Sequence, residues 1–126
     1  MKLLLDSAFV IDHMRGVPEA VDRYRALFNA GDEPVVNEIV VCEVRAGTLD
    51  EELPSFHAFF EPVEFIQPGP DAAQVAGVWR EHARRKGYHL SLADSLIASA
   101  AAAVGAAVLT RNVKDFGLTP VDIETY

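Results

Sequence analysis

The chain has 126 residues, half of them apolar, with a formal net charge of −8 and one cysteine. That length and apolar content suit one domain over residues 1–126 with a core of its own, and they exclude a disordered or low-complexity polypeptide. The acid excess argues against grip on nucleic acid through a broad basic surface, and leaves room for a nucleic-acid substrate held by a few cations and a metal.

Lys2-Leu3-Leu4-Leu5 is a short apolar run ending at Asp6-Ser7 and reads as a buried strand. Ser7 to Arg15 reads as a helix closed by Gly16. Pro18 opens a second helix, in which Val21, Tyr24 and Phe28 recur at spacings of three and four until Gly31-Asp32. Pro34-Val35-Val36 is the next strand, and Asn37 suits the N-cap of a helix running to Gly47. A helical segment at Pro54 to Phe60 precedes a third strand, Val63 to Ile66. After the turn Pro68-Gly69-Pro70, Asp71 to Lys86 is an amphipathic helix with Ala72, Val75, Ala76, Trp79 and Ala83 on one face. Ser91 caps a helix that Gly105 stops, and Ala106 to Leu109 is a fourth strand. Thr110 to Leu118 reads as loop, and Pro120 to Ile123 as a short edge strand. Strands alternating with helices predict a parallel sheet covered on both faces, with any site beyond the carboxyl ends of the strands.

No run is long and apolar enough to span a bilayer, Met1-Lys2 leads into no secretory signal, and Cys42 has no partner for a disulfide. A soluble protein in the reducing cytoplasm is expected.

Four acids attract attention. Asp6 ends the first strand, where it is either a helix cap or a site carboxylate. Glu43 has Ile39, Val40, Ala46 and Gly47 at helical spacing, which predicts an acid facing the protein; it then needs a cation, a donor or a proton, with Arg45 or another arginine as the ordinary alternative. Asp94 lies among Ser91, Ile97 and Ala98, and Ser91-Leu92-Ala93-Asp94 also reads as a capping box. Asp115 follows the fourth strand on the same rim as Asp6. Carboxylates brought within a few ångströms repel by about 3 kcal/mol per close pair at an effective dielectric near 20. A divalent cation removes that conflict, and an all-oxygen set suits Mg²⁺ or Mn²⁺, not zinc.

The order of these motifs resembles the PIN domain, and within it the VapC-type toxins of bacterial and archaeal toxin–antitoxin pairs. The resemblance rests on Leu4-Leu5-Asp6-Ser7-Ala8-Phe9-Val10-Ile11-Asp12, on Glu43-Val44-Arg45-Ala46-Gly47, on Leu92-Ala93-Asp94-Ser95-Leu96-Ile97-Ala98 and on Leu109-Thr110-Arg111-Asn112-Val113-Lys114-Asp115-Phe116. It implies a three-layer α/β/α sandwich around a mainly parallel sheet of four to five strands. It further implies an Mg²⁺- or Mn²⁺-dependent endoribonuclease that forms a homodimer and is neutralised by a cognate VapB-like antitoxin. Ala8 and Asn37 depart from the family pattern, which favours a polar residue at the first position and Ser or Thr at the second, but neither departure removes a carboxylate.

On this reading Asp6 and Asp94 are the principal metal ligands, and Glu43 and Asp115 complete the pocket directly or through water. A metal-activated water hydrolyses the RNA phosphodiester to a 5′-phosphate and a 3′-hydroxyl. Ser7 and Asn112 are either orienting groups or plain turn residues. Arg111 and Lys114 would grip substrate, whereas the run from Arg80 to Lys86 suits a solvated helix end at least as well. His13, His57, His82 and His89 lack convergent ligand spacing, and Asp12 is expected to pair with Arg15 at the surface. Two other readings compete: an inactive PIN-like binding module, which predicts a missing site acid, and an aspartyl-phosphate phosphatase, which needs a second acid where Ala8 stands.

Overall fold

Apolar runs too short for helices supply the middle layer of the computed structural model, which describes residues 1–126. The strands are β1 (Lys2–Leu5), β2 (Glu33–Val36), β3 (Glu64–Phe65), β4 (Ala107–Leu109) and β5 (Ile123–Glu124), in the order β3-β2-β1-β4-β5. All pairings are parallel, so each connection must cross over the sheet, and every one carries at least one helix. Leu3, Leu4 and Leu5 of the central strand are fully buried, as a strand covered on both faces requires.

The helices are α1 (Ser7–Met14), α2 (Pro18–Asn29), α3 (Glu38–Ala46), α4 (Leu53–Phe60), α5 (Pro70–Arg85), α6 (Leu92–Ala103) and α7 (Val113–Phe116). The expected α/β/α architecture is therefore present, with all five strands parallel. From β1 the chain builds outward to β2 and β3, then returns past β1 to place β4 on its other side. The connections thus diverge between β1 and β4, and a crevice opens there beyond the strand ends. Leu5 is in register with Leu109, so the next residues, Asp6 and Thr110, stand side by side at that crevice.

Four local departures from the expected elements have physical causes. The segment 110–118 contains α7, a single turn too short to show helical periodicity. The last strand lies further along the chain, because the Asp122 carbonyl and Glu124 are what pair with Val108 and Thr110; Pro120 precedes this ladder. The third strand is only Glu64–Phe65, although the Ile66 N–H still donates to the Val36 carbonyl at 2.9 Å. On α5, Ala76 and Ala83 are buried, but Val75 is exposed.

Gly105 ends α6 at φ 69°, and a Cβ there would meet nothing within 4 Å. Its replacement by alanine is expected to cost about 1–2 kcal/mol through the backbone alone. Urea unfolding of Gly105→Ala measures this, and an unchanged midpoint would contradict it.

Candidate active site at the carboxyl ends of the strands

Asp6 is 3% exposed and serves two structural neighbours at once. One carboxylate oxygen caps α1 by accepting the Phe9 N–H at 2.8 Å, and the other accepts the Thr110 hydroxyl. A carboxylate offers about four lone-pair positions, so capping leaves room for a further ligand. Burial pushes its pKa up to about 6; the Thr110 and Phe9 hydrogen bonds and the Arg111 charge oppose the rise, and the Asp94 charge adds to it.

Asp94 lies half-buried in the first turn of α6, where the Ser91 hydroxyl accepts its N–H at 3.0 Å. The reciprocal half of a capping box is not formed. Burial raises its pKa as well; a hydrogen bond from Ser91 opposes this, and the charges of Asp115 and Glu43 reinforce it. Asp94 therefore links the four acids: it feels the charges of Asp115 and Glu43, and its own charge is felt at Asp6.

The expectation for Glu43 needs correcting. The residue is exposed, because α3 buries its Val40–Val44 side while Ala46 and Gly47 lie in solvent. Its carboxylate is held by the Ser7 hydroxyl, which donates to Oε1 at 2.5 Å. Arg45 is not its partner, since that guanidinium donates to the Thr48 carbonyl. Asp115, on α7, accepts from Asn112 Nδ2 at 2.8 Å.

Thr110 is the site residue that sequence reasoning passed over. Fully buried, it donates to Asp6 and accepts the Asn112 N–H at 2.8 Å, and Asn112 in turn holds Asp115. One hydroxyl thus ties the carboxylate of the central strand to the loop that carries another. The only signal available in the sequence is its place as first residue after β4, matching Asp6 after β1.

Asp12 is a second correction. It is not a surface partner of Arg15: it is 3% exposed, accepts the Tyr126 hydroxyl at 2.7 Å and pairs with Arg111 Nη1 at 3.2 Å. The partners on which its burial depends come from the far end of the chain.

Asp6, Glu43, Asp94 and Asp115 share this rim, and none of them forms an ion pair. No three His, Cys, Asp or Glu side chains stand close enough, as they lie, to enclose an ion. Glu43 and Asp115 are each turned onto a neutral donor instead. The donor chemistry nevertheless fits Mg²⁺ or Mn²⁺. Mg²⁺ commonly takes one or two carboxylates and keeps several waters, so a three-acid cage is not required. Beside Asp115 opens a groove of about 280 Å³ lined by Gly87, Tyr88, His89, Lys114 and Leu118.

The PIN domain family model matches residues 3–117. The chain is 34% identical over 117 residues to "Ribonuclease VapC19" of Mycobacterium tuberculosis, covering 93% of this chain and 94% of that protein. The fold is similar to that in the crystal structure of DNA-bound VapBC from Salmonella typhimurium, with a TM-score of 0.85 and 26% identity, over 99% of this chain and 98% of that one. It is equally similar to the structure of VapBC2 from Rickettsia felis bound to a DNA fragment from its promoter, at a TM-score of 0.86 and 22% identity, over 100% and 99% of the two chains. These matches run nearly from end to end, and the chain belongs to the PIN-domain family, among its VapC proteins.

Proposed function

We propose that the chain is a VapC-type endoribonuclease that hydrolyses RNA phosphodiester bonds with Mg²⁺ or Mn²⁺ at the rim described above. The carrying observation is the set of four acids without cationic partners around the crevice between β1 and β4. The ribonuclease named among its relatives supports the choice of substrate.

In this reading Asp6 and Asp94 hold the cation, and Glu43 and Asp115 reach it through water or directly. Bound there, a divalent cation would lower the pKa of a water and stabilise charge on the scissile phosphate. The chain's own work is positioning. Thr110 fixes Asp6, Ser7 fixes Glu43 and Asn112 fixes Asp115, so the acids stay in place despite their mutual repulsion. Attack by water leaves a 5′-phosphate and a 3′-hydroxyl. The groove beside Asp115, with its exposed Tyr88 and its Lys114, suits an unpaired nucleotide of single-stranded RNA. By the same likeness the protein is a cytoplasmic toxin that forms a homodimer and is neutralised by a VapB-like antitoxin; the VapBC structures support that partner.

Incubation of the purified chain with structured RNA tests this reading. Cleavage is expected with Mg²⁺ or Mn²⁺, with 5′-phosphate ends, stopping in EDTA and returning when metal is restored. Cleavage that persists in EDTA would refute it.

A further inference from the structure

Arg111 occupies an unusual position for the partner of a buried acid. Its neighbour Thr110 is pinned twice, by its N–H to the Glu124 carbonyl at 2.9 Å and by its hydroxyl to Asp6. The Arg111 side chain is 60% exposed, whereas that of its partner Asp12 is 5% exposed. Asp12 Oδ2 receives both Arg111 Nη1 and the Tyr126 hydroxyl, and the Tyr126 ring packs edge-on against buried Phe9 with centroids 4.9 Å apart. A guanidinium recruited only to neutralise Asp12 would be covered along with it. This one meets Asp12 at one end and presents the rest of its donor fork to solvent.

The charge arrangement gives that fork a use. A polyanion approaching four unpaired acids is repelled and needs a fixed cation beside them. Arg111 is near enough to Asp6 for its charge to be felt there. An untethered arginine at that point would fall onto Asp6 and Asp94 and occupy the rim itself. Asp12, fixed by Tyr126, draws the guanidinium aside. The other arginines with marked contacts are engaged elsewhere: Arg45 with the Thr48 carbonyl, Arg80 with the Leu90 carbonyl, Arg85 with Glu81 and Arg25 with Asp22.

We propose that Arg111 clamps a substrate phosphate at the rim and that Asp12 and Tyr126 are positioning residues that hold it there, an inference that rests on the ribonuclease reading above. Bidentate donation to phosphate is the contact for which a half-exposed, tethered guanidinium is suited and a lysine is not.

The test combines binding and cleavage in the full chain. Binding of a labelled single-stranded RNA is followed in EDTA across salt concentrations. Arg111→Ala is expected to weaken it about tenfold and to flatten the slope of log affinity against log salt by about 0.7. Arg111→Lys should restore the slope but not the affinity. With metal present, Tyr126→Phe should raise KM severalfold, and this increment should vanish in the Arg111→Ala background. Asp12→Asn should behave as Tyr126→Phe does; should it fail to fold, Tyr126→Phe carries the test. An unchanged salt slope in Arg111→Ala overturns the clamp. A Tyr126→Phe effect of equal size with and without Arg111 overturns the positioning role, because a purely structural loss would persist in both. A wild-type chain that binds RNA and cleaves none with metal defeats the ribonuclease reading and leaves the salt slope to decide on the clamp. A wild-type chain that does neither defeats both.

Discussion

Replacing Asp6 by Asn is expected to reduce metal-dependent RNA cleavage at least about a hundredfold, in line with the several kcal/mol a metal contributes to transition-state charge stabilisation, and to make the metal-free protein more stable near neutral pH. The two effects share a cause. Asp6 is almost wholly buried and faces Asp94, so its pKa stands at about 6 against 3.8 for a free side chain. An acid whose folded pKa is raised binds more protons in the native state than in the unfolded chain. Stability is therefore full below the unfolded value, falls as pH rises through this interval, and stays low above the folded pKa. A rise of two units corresponds to about 3 kcal/mol. Asparagine removes that charge but meets the Thr110 hydroxyl with an NH₂ group, so the expected net gain is on the order of 1–2 kcal/mol at about pH 7.5 and near zero or negative at about pH 5. Calorimetry in EDTA at the two pH values measures it, and equal destabilisation at both would refute the account. Adding Mg²⁺ or Mn²⁺ at neutral pH should raise the wild-type melting temperature and leave that of Asp6→Asn nearly unmoved.

What could be read from the sequence divides along the line between local and long-range physics. Capping is local chemistry, and it is found as expected: Asn37 accepts the Val40 N–H at 3.2 Å, and Ser91 accepts that of Asp94. Runs such as Leu3 to Leu5 have no plausible destiny but a buried strand, and the rule that sites form beyond strand ends directs attention to Asp6 and to the segment after Leu109. Helix orientation is harder. Ala46 and Gly47 counted as apolar neighbours of Glu43, yet residues so small mark no buried face, and the packing of Val40 and Val44 turns Glu43 outward. Thr110 carries no mark in sequence, since only the register of β1 against β4 makes it the partner of Asp6. Asp12 offered a partner three residues away, while its real ones, Arg111 and Tyr126, arrive only when β4 joins the sheet beside β1 and β5 joins beside β4.

That contrast makes Thr110 the position where fold and chemistry are hardest to separate, and Thr110→Val separates them. Valine keeps the branched shape and fills the same buried volume, so β4 loses no packing. What goes is a donor to Asp6 and an acceptor for the Asn112 N–H. The Asn112 N–H is only partly buried, so losing its partner costs toward the low end of about 1–3 kcal/mol, and losing the group that orients a metal ligand typically reduces activity about 10–100-fold. The loss should also depend on pH. The Thr110 hydrogen bond is the first of the influences that hold the Asp6 pKa down against burial, so removing it drives that pKa higher. The acid limb of the pH–rate profile should then shift to higher pH in Thr110→Val, and part of the lost activity should return in alkaline buffer. Thr110→Ser, which restores the hydroxyl but not the methyl group, should move the limb back toward the wild-type position. An acid limb that stays in place while activity falls would mean that Thr110 serves only to support the loop carrying Asn112 and Asp115.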